Sequence, residues 1–318
     1  MPSPDSLEIF AEKYALVGAA NKRSLERLAL VLKALEARSI DCLLLKGADL
    51  LTRVYSGMGL RQIGDFDLLV KEADLPRIDE ALSALGYRQQ IDGNPAYVDA
   101  EGESQVDLAT EVWYLKDEAE IWRRAVSRPA LGLTVRAMDA TDALLFICLY
   151  VCLHRARFSA GFAQDIFLMA KNETINWDRL TTSAANLGLK APLFHALGYA
   201  LSKRAVPIPG SALSALAPST FRERAQLFLL RRLVKEDRFL GLSHLLVLLS
   251  RPRGRRLASL RRSFSPSREF MRYRYGERSG ASLTMIRAAR PFYLAAQAAV
   301  LLARILKRVL LPAHASAR

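Results

Sequence analysis

The sequence predicts an α/β N-terminal domain with a small mixed sheet, followed by an all-α region. Short apolar segments typical of buried strands occur only before residue 139, where they alternate with helical patterns. From residue 139 onward, every apolar pattern has the spacing of a helix. The 318 residues are 51% hydrophobic and 25% charged, a composition that can bury a core and that excludes a disordered protein.

The first 110 residues predict helices and strands in alternation. Residues 6–38 carry apolar side chains at helical spacing, and residues 41–47 form a short apolar segment that ends in Gly47, which is typical of a buried strand. The residues after Gly47 continue this alternation. We expect a helix over 48–55, a strand over 65–70, a helix over 74–85, and a hairpin with strands at 96–99 and 105–108.

The rest of the chain predicts helices joined by Pro and Gly. We expect them at 139–155, 161–171, 177–187, 191–204, 219–250 and 283–311, with a linker at 251–256. The apolar run 291–303 of the last helix is too short to span a bilayer. The predicted domains are an α/β domain over 1–135, a helical domain over 136–250 and a basic helical tail over 251–318.

The net charge of +14 belongs entirely to the tail. Residues 251–318 contain sixteen Arg or Lys and two acids, Glu269 and Glu277, whereas residues 1–250 are neutral. The first two domains therefore lack the basic excess typical of nucleic-acid-binding proteins. The tail has three interpretations: a helix on an anionic membrane surface, with Phe292 and Leu301 in its apolar part; an RNA-binding segment; or a helix packed on the protein.

The three cysteines, Cys42, Cys148 and Cys152, lie in apolar segments. Cys148 and Cys152 are one helical turn apart and His154 follows, but the paired spacing of a zinc module is missing. We therefore interpret them as core residues. Without a cysteine pairing pattern or a signal-peptide pattern, the sequence predicts a cytoplasmic protein, with contact at the membrane periphery as an option for the tail.

Asp65 and Asp67 are the residues with the clearest chemical meaning. They stand one residue apart on a predicted strand, so both side chains project from the same face. Two carboxylates forced together at a core strand repel each other, and a cation between them relieves the repulsion. Oxygen ligands favour Mg²⁺ or Mn²⁺. Since an isolated Asp-x-Asp pair is usually solvated, the neighbouring residues have to support the site.

Residues near this pair are suited to bind phosphate. Gly47 ends the first strand and opens a helix, where backbone N–H groups and the helix dipole favour anions. Lys46 and Arg61 lie close in sequence and supply cationic donors. Asp107, on a later predicted strand, is a candidate third carboxylate.

These residues carry a resemblance. Residues 44–50, Tyr55, Arg61 and residues 64–70 resemble the uncharacterised nucleotidyltransferase family of the DNA-polymerase-β-like superfamily. The shared pattern is a Lys-Gly strand end, a Tyr, an Arg and an Asp-hydrophobic-Asp strand, and the resemblance covers most of residues 25–290. Asp142, His154, Asp165 and Trp177-Asp178 fall in the family's usual order, and residues 266–272 and 274–276 resemble its C-terminal part.

The resemblance implies a nucleotidyltransferase-like domain and a metal-dependent enzyme that moves an NMP group from an NTP to a hydroxyl-bearing acceptor. Mg²⁺ or Mn²⁺ is the implied cofactor. The implied catalytic and metal-binding residues are Asp65, Asp67 and Asp107, and the implied NTP-binding residues are Lys46, Gly47 and Arg61. The acceptor is a small molecule, a sugar, a peptide or an RNA end.

Two alternative functions share this fold. Ala48 stands where the superfamily usually has Ser or Gly, which favours a catalytically weak nucleotide-binding or scaffold protein. The basic tail instead favours a tRNA-modifying, toxin-like transferase. Outside the Asp pair, His154 at the end of an apolar helix is interpreted as a hydrogen-bonded core residue. Asp165 is interpreted as a helix cap or as an ion-pair partner of Arg155 or Arg157.

Overall fold

The computed structural model describes residues 4–91, 94–267, 271–272 and 280–310. The chain forms two compact units, one of residues 1–112 and 117–143, the other of residues 113–116 and 144–318. The elements of the first unit, the sheet unit, are α1 (Pro4–Glu36), β1 (Cys42–Leu45), α2 (Lys46–Val54), β2 (Asp65–Val70), α3 (Leu75–Ala84), β3 (Arg88–Ile91), β4 (Asn94–Val98), β5 (Gln105–Ala109), α4 (Ala119–Arg124), β6 (Val126–Ala130) and β7 (Leu133–Ala137).

The sheet of this unit is mixed, with the strand order β3-β4-β5-β2-β1-β7-β6. At its centre, β2 runs antiparallel to β1 and parallel to β5. The apolar residues of β1 and β2 are almost completely buried, since the sheet buries both faces of these strands. Leu25, Leu28, Leu32 and Leu35 on one face of α1 join the same core. The predicted mixed α/β domain is confirmed.

The sheet is larger than the sequence pattern indicates. The hairpin of β4 and β5 is where it was predicted, but β3, β6 and β7 were missed. The outer strands β3 and β6 lie at the two edges of the sheet. Edge strands need no alternating apolar face: β3 reads Arg-Gln-Gln-Ile, and β6 carries Arg128 and Pro129.

The second unit is helical, as predicted. Its helices, counting α5, which begins in the sheet unit, are α5 (Ala140–Leu149), α6 (Ala160–Asn172), α7 (Trp177–Asn186), α8 (Lys190–Lys203), α9 (Gly210–Leu216), α10 (Phe221–Leu233), α11 (Leu242–Ser250), α12 (Arg253–Phe264) and α13 (Gly280–Leu310). A π-helical turn, Tyr150–Arg155, extends α5. Cys148 and Cys152 are fully buried, and burial raises the pKa of both thiols, so their interpretation as core residues is confirmed.

Two predicted elements are wrong. The single helix expected over 219–250 is broken between α10 and α11, where the carbonyl of Lys235 accepts a hydrogen bond from the Phe158 N–H (2.8 Å). The linker expected at 251–256 instead contains the start of α12, because Pro252 stands at the N-cap, where a missing N–H costs nothing.

The final helix α13 agrees with the predicted one to within a turn. Within the part of the chain that the structure describes, no helix is long and apolar enough to cross a membrane. Tyr273 and Tyr275, central to the RNA interpretation, lie outside the described residues, as do residues 268–270 and 274–276 of the family-like C-terminal part.

Candidate active site

Three carboxylates meet at the centre of the sheet. The parallel register of β2 and β5 places Asp67 beside Asp107, and Asp65 lies two residues before Asp67 on the same face. One carboxylate oxygen from each of the three residues lies within 4.8 Å of the other two. Gln105 Nε2 donates a hydrogen bond to Asp107 Oδ1 at 2.8 Å. The structure therefore brings together the three acids that the sequence indicated.

The electrostatics of the cluster suit a cation. Burial raises the pKa of Asp67 to about 6, and the charges of Asp65 and Asp107 add to the rise. Lys46 opposes it, because its Nζ pairs with Asp67 Oδ1. Three oxygen donors of like charge at this spacing fit a hard divalent ion such as Mg²⁺ or Mn²⁺.

Lys46 and Gly47 form the turn from β1 into α2. Lys46 has a left-handed backbone (φ 49°), which is uncommon for a residue with a side chain and frequent at functional turns. The N-cap residue, Leu45, gives α2 no side-chain cap. The N–H groups of the first turn of α2 thus have no helical partner, as the phosphate-binding hypothesis requires. Lys46 itself, expected on phosphate, contacts Asp67 in the structure.

Arg61 lies directly over Gly47. A Cβ added to Gly47 would stand 2.9 Å from Arg61 Nη1 and 3.4 Å from Ile63 Cγ2. The missing side chain therefore makes room for the guanidinium group. Two of the residues expected to bind phosphate, Gly47 and Arg61, are in this way neighbours in space.

Asn21 positions the segment that carries Arg61, and the sequence analysis did not identify it. Its Nδ2 donates to the carbonyls of Met58 (2.6 Å) and Arg61 (2.7 Å), and its Oδ1 accepts from the Ile63 N–H (3.1 Å). Asn21 is buried on α1, four residues before Leu25 in the apolar face of that helix. A polar residue at an apolar-face position was the available signal, because a buried amide has to find partners.

Helix α2 is held in place by a buried charge network that involves its first turn and its last turn. Arg128 of β6 donates to Asp49 Oδ1 (2.7 Å) and to Thr52 Oγ1 (2.8 Å), and Arg53 Nη2 donates to the Met138 carbonyl (2.7 Å). Burial raises the pKa of Asp49, while Arg53 and Arg128 lower it. This network attaches α2 to the edge of the sheet that the sequence pattern missed, and it supports the turn at Lys46.

The structure also locates Ala48, His154 and Asp165. Ala48 is fully buried in the core. His154 is exposed and stacks on Tyr150 with the ring centroids 5.0 Å apart, so its prediction as a core residue was wrong. Asp165 lies in the middle of α6, whose N-cap is Ser159, so the capping role was also wrong.

Comparison with known proteins gives a family and a solved structure that are similar to this chain. The sequence profile of a family described as uncharacterised nucleotidyltransferase matches residues 1–202. The chain belongs to this family. The crystal structure of an antigenic nucleotidyltransferase-like protein from Paracoccidioides brasiliensis is similar to this chain, with a TM-score of 0.41 and 18% identity, over 61% of this chain and 97% of that one. No curated protein matches this chain.

Proposed function

We propose that the protein is a metal-dependent nucleotidyltransferase that moves an NMP group from an NTP to a hydroxyl-bearing acceptor. The observation that carries the proposal is the cluster of Asp65, Asp67 and Asp107, whose oxygens converge within 4.8 Å on a rigid sheet. A structural role does not explain three acids in one place, since like charges at this distance destabilise the fold. Membership of the family supports nucleotidyl transfer in general.

In the proposed reaction, the acceptor oxygen forms a bond to the α-phosphorus of the NTP. The bond between that phosphorus and the oxygen bridging to the β-phosphate breaks, and pyrophosphate leaves. Mg²⁺ or Mn²⁺ held by the three carboxylates would supply charge stabilisation for the triphosphate and lower the pKa of the acceptor hydroxyl. The hydroxyl proton passes to Asp65 or Asp107, because Asp67 is already paired with Lys46.

The residues around the cluster bind and orient the triphosphate in this proposal. The first-turn N–H groups of α2, after Gly47, face the phosphates, and Arg61 adds a planar, multi-donor cation above them. Asn21 and the Asp49–Arg128 network hold these donors in position before the ligand arrives.

The full burial of Ala48 weakens the argument for the scaffold alternative. We infer that a hydroxyl at this buried position would lie in the core and not at a phosphate. The tRNA-modifying alternative differs only in the acceptor and is tested in the same experiment.

The test is a label-transfer assay. The protein is incubated with Mg²⁺, each of the four NTPs labelled at the α-phosphate, and fractionated cell extract, and the labelled product is identified. We expect transfer with wild type, none with Asp65→Asn or Asp107→Asn, and wild-type transfer with the control Asp117→Asn. Asp117 is exposed, and the amide of Asn can still accept the Ala119 N–H. Nucleotide binding with no labelled acceptor in any fraction would support the scaffold alternative.

A further inference from the structure

One side of α13 is an exposed apolar strip. Its large hydrophobic residues with high exposure are Met285, Phe292, Tyr293, Val300, Leu302, Leu306 and Leu310. At 100° per residue these seven positions fall within about half of the helix circumference, with Ala288, Ala289, Ala295, Ala296, Ala299 and Ala303 between them. Phe292, at the middle of the strip, is 78% exposed. The strip follows the helix for its whole length.

The opposite side of α13 packs on the helical unit. Leu301 faces Gly241, whose added Cβ would lie 3.5 Å from Leu301 Cδ1. Arg308 pairs with Asp237 through two hydrogen bonds of 2.6 and 2.7 Å, and its guanidinium lies 5.3 Å from the ring centroid of Phe239. These contacts fix the rotation of α13 about its axis, so the apolar strip faces outward. Leu301, assigned to the membrane-facing part on sequence grounds, belongs to the packed side.

The charge of this region has one sign. Helices α12 and α13 carry five Arg or Lys each and no acidic residue. They lie against each other, because Arg287 donates to Ser265 Oγ (2.8 Å) and Arg290 to the Ser263 carbonyl (2.8 Å). Helix α12 adds further exposed apolar side chains beside its arginines, Leu257 and Phe264. On α13, Arg304 borders the strip, Lys307 lies within its width near the C-terminal end, and both are exposed.

We propose that α12 and α13 form a docking surface for an anionic lipid bilayer, with α13 lying in the plane of the interface. An apolar strip bordered by Lys and Arg is the composition of helices that bury one face at the headgroup boundary and place cations among anionic headgroups. A second copy of the chain fits less well, because each α13 would bring only positive charge. RNA would gain nothing from the exposed aliphatic residues of the strip, such as Met285, Leu306 and Leu310. This surface is independent of the proposed transfer activity.

The experiment measures co-sedimentation of the full-length protein with vesicles. Wild type should bind phosphatidylcholine vesicles that contain phosphatidylserine and should not bind pure phosphatidylcholine vesicles. Rising salt should weaken the binding, since exposed charges are screened. Equal binding to both compositions, or none to either, would overturn the proposal.

Two pairs of variants separate the apolar and ionic contributions. Phe292→Asp with Leu306→Asp should weaken vesicle binding by about tenfold or more, whereas Phe221→Asp should not, although Phe221 on α10 is 81% exposed. Arg304→Gln with Lys307→Gln should weaken it by about tenfold, whereas Lys22→Gln with Arg23→Gln on α1 should leave it unchanged. The changed residues are exposed, so circular dichroism should show a wild-type fold.

The same variants distinguish a lipid bilayer from the two competing partners, RNA and a second copy of the chain. An RNA-binding surface would give the following result: no vesicle binding, weaker binding of a labelled tRNA in Arg304→Gln with Lys307→Gln, and unchanged tRNA binding in Phe292→Asp with Leu306→Asp. In that case the lipid proposal is wrong. If sedimentation equilibrium instead shows a dimer that the apolar variants abolish, again without vesicle binding, the strip is a self-association surface and the proposal is equally wrong.

Discussion

The sheet unit and the helices α12 and α13 use charge in opposite ways. In the sheet unit, Asp49 and Asp67 are buried, and each has a cationic partner within the same unit. In α12 and α13, ten Arg and Lys face no acid on either helix, and many are exposed. Buried, matched charge fixes the geometry of a site, because a lone buried charge is costly. Exposed charge of one sign costs little and attracts an external partner.

The largest effect expected in the sheet unit is the loss of metal binding. Asp67→Asn should weaken Mn²⁺ and Mg²⁺ binding by about hundredfold or more, because it removes a central ligand of a converging set. Asp65→Asn and Asp107→Asn should have similar effects. Calorimetry measures the affinities, with Asp117→Asn as the control. Wild-type affinity in Asp65→Asn and Asp67→Asn would show that the cluster is not a metal site.

Lys46 should affect metal and nucleotide in opposite directions. Its Nζ pairs with Asp67, so it competes with a cation for that carboxylate. Lys46→Met should therefore tighten binding of Mn²⁺ alone, while it weakens NTP binding by roughly tenfold through the loss of a phosphate partner. Calorimetry with metal alone and with the metal–NTP complex distinguishes the two effects. If both affinities fall, Lys46 supports the site and does not bind phosphate.

Asn21 tests whether buried polar contacts in the sheet unit hold the site. Asn21→Leu leaves the carbonyls of Met58 and Arg61 without their donor and should lower the free energy of unfolding by about 1–3 kcal/mol. NTP binding should weaken as well, because the segment bearing Arg61 is released. Denaturant unfolding and calorimetry measure the two effects. Thr141, which is also buried, is a matched position: Thr141→Val should change stability without changing NTP affinity.

How much the sequence predicts depends on what determines each feature. The acid cluster was predictable, because a buried strand has side chains of period two and Asp65 and Asp67 therefore share a face. The sequence also indicated Asp107, but its position beside Asp67 depends on the pairing of β2 with β5, which the sequence pattern does not predict. Strand β6 was not predictable from apolar pattern, since Arg128 is placed there by its ion pair with Asp49.

In the tail, too, the sequence predicted the helix but not its contacts. Periodicity located α13 and its apolar residues, but it did not distinguish the packed side from the exposed one. That distinction depends on the contacts of Leu301 and Arg308 with the α10–α11 region. When a helix has apolar residues on two sides, the sequence pattern does not predict which of the two sides packs on the rest of the protein.

Gly47 provides a smaller and more local test. Gly47→Ala places a methyl group 2.9 Å from Arg61 Nη1, so the guanidinium has to move while the fold remains intact. NTP binding should weaken severalfold, and nucleoside binding should not change. Gly64→Ala is the matched control, because an added Cβ there meets nothing within 4 Å. In Arg61→Ala the Gly47 substitution should have no further effect, and additive losses in the double variant would contradict the assigned contact.

The smallest effect expected comes from His195, a titratable residue on α8 of the helical unit. Its Nε2 lies 3.1 Å from the Val234 carbonyl oxygen. Burial lowers the pKa of His195 below 6.5. The charge of Arg231 lowers this pKa further, whereas the hydrogen bond with Val234 raises it. Stabilisation from the neutral imidazole is therefore present above pH 6.5 and is lost as the pH falls through the lowered pKa.

One titrating group changes the free energy of unfolding by at most about 1.4 kcal/mol per pH unit. His195→Gln keeps an Nε2 donor for Val234 but does not titrate, so its free energy of unfolding should fall less steeply with acid than that of wild type. Denaturant unfolding between pH 7.5 and pH 5 measures the two slopes, at roughly half-unit steps. His244→Gln, at an exposed position of α11, controls for the loss of an imidazole. Identical slopes for wild type and His195→Gln would show that the pKa of the half-buried His195 is not lowered in the folded protein.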